Sequence, residues 1–309
     1  MIAQKYNKMR EYLKGFLEEF EYSQGCQASM LDCYDRIMAD GQKREILSEA
    51  LNAYDDNKDV KFAVLQEYVN KLCEGFCIHE YTVWLMLYLL MTKRLTEHYN
   101  RMGISPEVRW YSLLDLKVKS EECIREKGIH GTFSYTWFPN LFRLKRFAFG
   151  RLQFEEAKFQ EEHFTCSCGL ELDRETEVLA VHIPRVDMPL SKENCDASYE
   201  AAAEFYKDRF KGDYAVFTCN SWMLYPGNSE ILHEKANTRR FGEEFEKVTV
   251  NDDAAGEYPN AWRIFDVEFT GNVSELPEDT RIRKAFKEHM LKGGVTGRAY
   301  GVKLLPKKH

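Results

Sequence analysis

His182 ends a nearly continuous apolar run that begins at Val178, and a loop bracketed by Pro184 and Pro189 separates it from Ser191, Asn194 and Asp196. The run reads as a central strand covered on both faces, since a half-exposed strand would alternate apolar and polar residues. The prolines cannot continue a ladder. Ser191, Asn194 and Asp196 are N-cap residue types, and Tyr199, Ala202, Ala203, Tyr206 and Phe210 follow them as one stripe, so a helix begins there. Strand, loop and helix in this order aim unpaired N–H groups and a positive dipole end at the space beyond the strand, which is anion-binding chemistry. Most such units bind nothing, so a site also requires other groups that converge on it.

Several other groups have chemistry to offer. A second buried strand, Tyr214 to Cys219, leads into Asn220, Ser221, Trp222 and Tyr225, and strand ends are where α/β-type sheets place ligands. A thiol such as Cys219 on a buried apolar strand is usually inert. Arg239 and Arg240 are able to hold a phosphate, or a carboxylate bidentately, against the plainer reading of surface charge balance. Lys192, at the helix start, is a weaker case of the same kind.

These residues need a large scaffold, and 309 residues provide one of two domains. Hydrophobic residues make up 44% and aromatics 14%, so no part reads as disordered. A net charge of -7 and a pI near 5.7 argue against a nucleic-acid partner or an anionic membrane surface. The longest apolar run, Val83 to Met91, is far below the roughly 20 residues that span a bilayer. The first ten residues resemble the start of an amphipathic helix rather than a secretion signal. Nine scattered cysteines fit reduced thiols in a cytoplasmic protein. Neither Cys73 with Cys77 nor Cys166 with Cys168 has the second pair of a zinc site, so no metal is expected. The oligomeric state is not written in these patterns.

Along the chain, residues 1 to 130 read as helices, with stripes that begin at Tyr6, Met30, Ile46 and Leu65. The segment Ile78 to Tyr99 is apolar nearly all round in its first half and reads as the buried centre of a bundle. Ser105 and Pro106 open a further helix that Gly128 closes. Beyond Ile129 the spacing predicts a short helix over Trp137 to Arg146 and a strand from Phe149 with a bulge or a kink at Glu155 and Glu156. A hairpin tip around Cys166 to Arg174 follows. A helix from Ser229 to Ala236 and strands over Phe245 to Val250 and Arg263 to Phe269 come next. A helix from Asp279 to Leu291 and a closing strand, Tyr300 to Leu305, end the chain. The class is α+β: a helical domain, 1–130, ahead of a mixed β-sheet domain with flanking helices, 131–309.

Several phrases carry a family likeness: Gly150 to Glu155, His182-Ile183-Pro184 with Pro189-Leu190, Cys219 to Pro226, and Asn237 to Phe241. With Gly103 to Asp115 and Trp137-Phe138 in the helical part, the chain resembles a bacterial family of acyltransferase-domain proteins. The family pairs a helical N-terminal domain with a GNAT-like C-terminal one. Two departures are visible. The loop is Arg185-Val186-Asp187-Met188 where the family has small residues, and Asn220 stands where it has His. The Gly-rich pyrophosphate loop of typical GNAT enzymes is not legible.

The resemblance implies an acyl-CoA, acetyl-CoA or a longer one, along the strand end at His182 and Ile183, with its pyrophosphate at the following helix. Ile183, Arg185, Leu190, Ser191, Lys192, Arg239 and Arg240 are then the cofactor-binding candidates. Transfer to a small amine-bearing acceptor needs a base, donors for the oxyanion and an acid for the thiolate. His182 is the candidate base, because its ordinary pKa is near neutrality. Glu155 is the runner-up, against the reading of a rim carboxylate paired with Arg151 or Lys158. Ser221 or Tyr225 would protonate the thiolate. The alternative is a catalytically inactive GNAT-like module that binds a small ligand or a partner protein. The missing loop and the replaced His favour it.

Overall fold

The computed structural model describes residues 2–307, with side chains from residue 7 onward. The chain divides into two compact units, Met1–Phe147 and Ala148–His309.

The first unit holds α1 (Ile2–Glu19), α2 (Gln24–Ala39), α3 (Gly41–Asp56), α4 (Phe62–Cys73), α5 (Glu80–Arg101), α6 (Pro106–Lys127) and α7 (Pro139–Phe142). Their stripes are buried, as at Leu13, Phe16, Met30, Ile37, Leu47 and Val69. Tyr6 lies outside the described side chains. Thr82 to Thr92 of α5 is buried on every side, as a helix hydrophobic all round must be when its neighbours enclose it. Ser105 caps α6 by accepting from the Val108 N–H, and Gly128 ends it at φ 68°. The segment beyond is fastened to α5. A Cβ on Gly131 would sit 2.4 Å from the Tyr81 carbonyl carbon, so only glycine allows this approach. Tyr135 stacks on Trp84 at 5.2 Å, and Phe142 on Tyr88 at 5.0 Å. The helix expected over Trp137 to Arg146 shrinks to α7, because Leu144 turns left-handed at φ 61°.

The strands are β1 (Arg146–Phe149), β2 (Leu152–Lys158), β3 (His163–Thr165), β4 (Glu171–Asp173), β5 (Glu177–His182), β6 (Tyr214–Ser221), β7 (Glu246–Asp252) and β8 (Gly297–Pro306), and the division between units falls inside β1. Among them lie α8 (Lys192–Phe205), α9 (Asn228–Ile231), α10 (Asn237–Glu243), α11 (Ala261–Phe265) and α12 (Arg281–Leu291). Six strands form a mixed sheet in the order β1-β2-β5-β6-β8-β7. Within it β5 and β6 run parallel. The hairpin β3-β4 is a small sheet of its own.

Three local expectations need correction. β2 carries no bulge at Glu155 and Glu156, since it pairs with β5 without interruption from Gln153 to Lys158. Its apparent change of phase arises because Phe154 and Ala157 face opposite sides. Arg263 to Phe269 is not a strand, because its first residues form α11, whose Ile264 and Phe265 pack with Phe286 and Met290. The helix from Ser229 to Ala236 ends at Ile231, and α10 follows as a separate helix.

The two faces of the sheet differ. Against α8, Phe154, Tyr199 and Phe217 meet edge to face with centroids 4.9–5.7 Å apart. The opposite face buries Val178, Val216 and Val302 under Cys166 and Leu172 from the hairpin region, and beyond that cover it turns polar.

Candidate functional site

The parallel ladder is short. It pairs Leu179 with Phe217 and Ala180 with Thr218, and β5 continues past it to His182 and β6 to Ser221. Outside this register β5 is held by β2 and β6 by β8, and the ladder between β5 and β6 does not continue.

Alternation then distributes the side chains. Ala180, His182, Thr218 and Asn220 share one face with Gln153 and Glu155. His182 Nε2 lies 3.4 Å from Glu155 Oε2, with the side chains 25% and 17% exposed. Glu155 is one diagonal step from His182 across the strand pair, within side-chain reach. The rim partners weighed for Glu155 are engaged elsewhere: Lys158 pairs with Glu175, and the Arg151 guanidinium donates to the Pro184 carbonyl. Gln153, directly opposite His182, is 2% exposed, and its carboxamide oxygen has no hydrogen-bond partner.

Cys219 and Ser221 fall on the α8 face. Burial pushes the Cys219 thiol up to about 12, so it stays protonated. Ser221 accepts from the Met223 N–H at 3.2 Å and caps the next turn.

At the helix end, Ser191 accepts from the Asn194 N–H, and Lys192 pairs with Asp196 at 2.6 Å. Ile183 and Leu190 are half-buried along the intervening loop. Arg185 is paired with Asp266 and donates to the Arg263 carbonyl. Tyr225 donates to Asp252 at 2.8 Å, and burial raises its phenol to about 12. Asp252 belongs to β7, three strand positions from β5, or about 14 Å at the usual strand spacing. Arg239 pairs with Glu243 and donates to the carbonyls of Ser229 and Leu232, closing the α9 turn, while Arg240 is exposed. The fold therefore brings His182 and Glu155 together, with Ser191 and Lys192 at the start of α8, and anchors Tyr225 and Arg239 elsewhere.

Two residues were not site candidates from the sequence, where Arg151 entered only as a possible partner of Glu155. Gln153 is one. Arg151 is the other: it is 7% exposed, its backbone N–H donates to Ser198 of α8, and among the described residues no carboxylate pairs with it. Burial lowers its pKa. The one sequence signal for both is their place just after Gly150, which turns the chain into β2 at φ 63°. Among the described residues no three potential ligands gather into a metal site.

Residues 146–303 match the family described as GNAT-like C-terminal domain, and residues 11–144 match the N-acyltransferase N-terminal domain. No curated protein matches the chain. Among solved structures, an acyltransferase in complex with decanoyl-CoA is 20% identical, with a TM-score of 0.70 over 94% of this chain and 86% of its own. A mutant acyltransferase with octanoyl-CoA is also 20% identical, with a TM-score of 0.71 over 96% and 88%. An acyltransferase with decanoyl-CoA and teicoplanin is 19% identical, with a TM-score of 0.67 over 94% and 86%.

Proposed function

Because the chain belongs to the GNAT-like C-terminal domain family, we propose that it is an acyl-CoA-dependent N-acyltransferase acting on a small amine-bearing acceptor. The observation that carries this reading is the His182–Glu155 pair at the end of β5, beyond the last pairing of β5 with β6. His182 takes a proton from the acceptor ammonium, and Glu155 stabilises the resulting imidazolium. The free amine attacks the thioester carbonyl, its lone pair forms the C–N bond, and collapse of the tetrahedral intermediate breaks the C–S bond, the second proton released by the nitrogen replacing the one that a hydroxyl donor passes to the departing thiolate of CoA. Of the two candidate proton donors to that thiolate, Ser221 is the less engaged: it lies on the α8 face, where its oxygen accepts from Met223 and its own proton remains to be given. Tyr225 would first have to leave Asp252.

The acyl-CoA would run past Ile183 and Leu190, with its phosphates toward Ser191, Lys192 and the start of α8, where the buried charge of Arg151 adds attraction. Arg185 then serves through the loop it ties to Asp266 rather than as a direct phosphate ligand. Arg239 and Arg240 would contribute long-range charge only. The nine cysteines, all free, fit a cytoplasmic setting. No helix among the described residues is long and apolar enough to cross a membrane.

The alternative is a GNAT-like module that binds a small ligand or partner protein without turnover. Its support is that Arg185 and Lys192 are already neutralised by Asp266 and Asp196. Calorimetry with CoA, acetyl-CoA and decanoyl-CoA separates the two. Micromolar binding, about -8 kcal/mol, followed by acylation of an amine panel is the expected result. A folded protein that binds none of the three thermodynamically supports the alternative.

A further inference from the structure

Gln153 presents a contradiction that packing does not resolve. A buried carboxamide oxygen without a partner destabilises the folded state, and a Met or Leu of similar volume at position 153 would avoid that cost. Gln153 is nonetheless 2% exposed with its carboxamide oxygen unpaired, at the inner end of a polar row whose outer members, His182 and Glu155, reach solvent. The Tyr199 hydroxyl on the opposite face is also unpartnered, but Phe154 and Phe217 pack against its ring, and Lys303, which lies over that ring, is taken up by Glu244. What sets Gln153 apart is its register, directly across β2 and β5 from His182 and on the same face.

We propose that Gln153 is a specificity-determining residue that hydrogen-bonds a hydroxyl on the acceptor, next to the amine that His182 deprotonates. The inference rests on the transferase reading above. Directly paired residues have Cβ atoms about 5 Å apart, so a group held by Gln153 lies two or three bonds from the nitrogen held by His182. A carboxamide is neutral and offers both an acceptor and donors, the complement of a hydroxyl, whereas a bare ammonium is better served by the charge of Glu155. The acceptor class is therefore an amino alcohol, with its hydroxyl innermost.

The test compares wild type with Gln153→Met on matched acceptors, alaninol and isopropylamine, at fixed acyl-CoA, with Tm measured alongside. The wild type is expected to favour the amino alcohol by about 10- to 100-fold in kcat/KM, the effect of leaving a site's buried polar group unpaired. In Gln153→Met the ratio should collapse toward one through the acceptor KM, with the acyl-CoA KM unchanged and Tm equal or higher. A retained ratio, or a fall in Tm that shows the carboxamide was holding the fold, overturns the assignment and leaves the transferase reading intact. A wild type that acylates no amine overturns both.

Discussion

The two faces of the C-terminal sheet are built from the same strands and end in opposite chemistry. On the α8 face, Phe154, Tyr199 and Phe217 interlock, and Cys219 is buried with its thiol pushed up to about 12. On the other face the apolar cover stops short, and Gln153, Glu155 and His182 occupy the end it leaves. A single step along β2 or β5 moves a residue from one regime to the other. Phe154 and Glu155 show this as sequence neighbours with unrelated roles, and the same alternation sets Cys219 and Ser221 on the face opposite His182.

If the division is real, substitutions on the two faces should fail in different ways. The largest effect is expected from His182→Ala, with turnover falling about 10²- to 10⁴-fold and the urea midpoint unchanged. Undiminished turnover would move the chemistry off this face. Phe217→Ala should cost about 3–5 kcal/mol of stability in urea titration and, in the fraction still folded, leave kcat largely intact. A stable variant with lost turnover would erase the distinction. Glu155→Gln should lower kcat/KM about tenfold, the loss of one charge-assisted contact of about 1.5 kcal/mol, and a variant as active as wild type would leave His182 to act without it.

The smallest effect is one of pH. A thiol ordinarily at 9.0 and held near 12 when folded contributes stability that is intact below 9.0. That stability is lost as the pH rises through this window, because the unfolded chain ionises first. Cys219→Val should flatten the decline in urea midpoint between those values, and an identical slope in both proteins would count against a dry α8 face.

Much of this was legible in the amino-acid order. The buried α5, the cap and stop of α6, the strand ending at His182 and the Ser191 cap all follow from periods and end signals that lie within one element. The errors arose where two periods fit the same residues. Ile264 and Phe265 suit a strand or a helix, and only packing on Phe286 and Met290 selects the helix. Among site residues, His182 and Glu155 were visible as types at a strand end and a strand start. Their pairing was not, nor were the ties of Tyr225 to Asp252 and of Arg185 to Asp266, since each joins residues far apart in the chain.

The sequence by itself determined the helical first half, the mixed second half and the placement of His182 ahead of a proline-bounded loop, because hydrophobic period, proline and caps act over a few residues. Tertiary structure alone decided what surrounds that histidine. Pairing Gln153 with His182 sets a register between strands separated by the whole β3-β4 hairpin, and a slip of one residue would have turned Phe154 toward the base and buried Glu155 beneath α8.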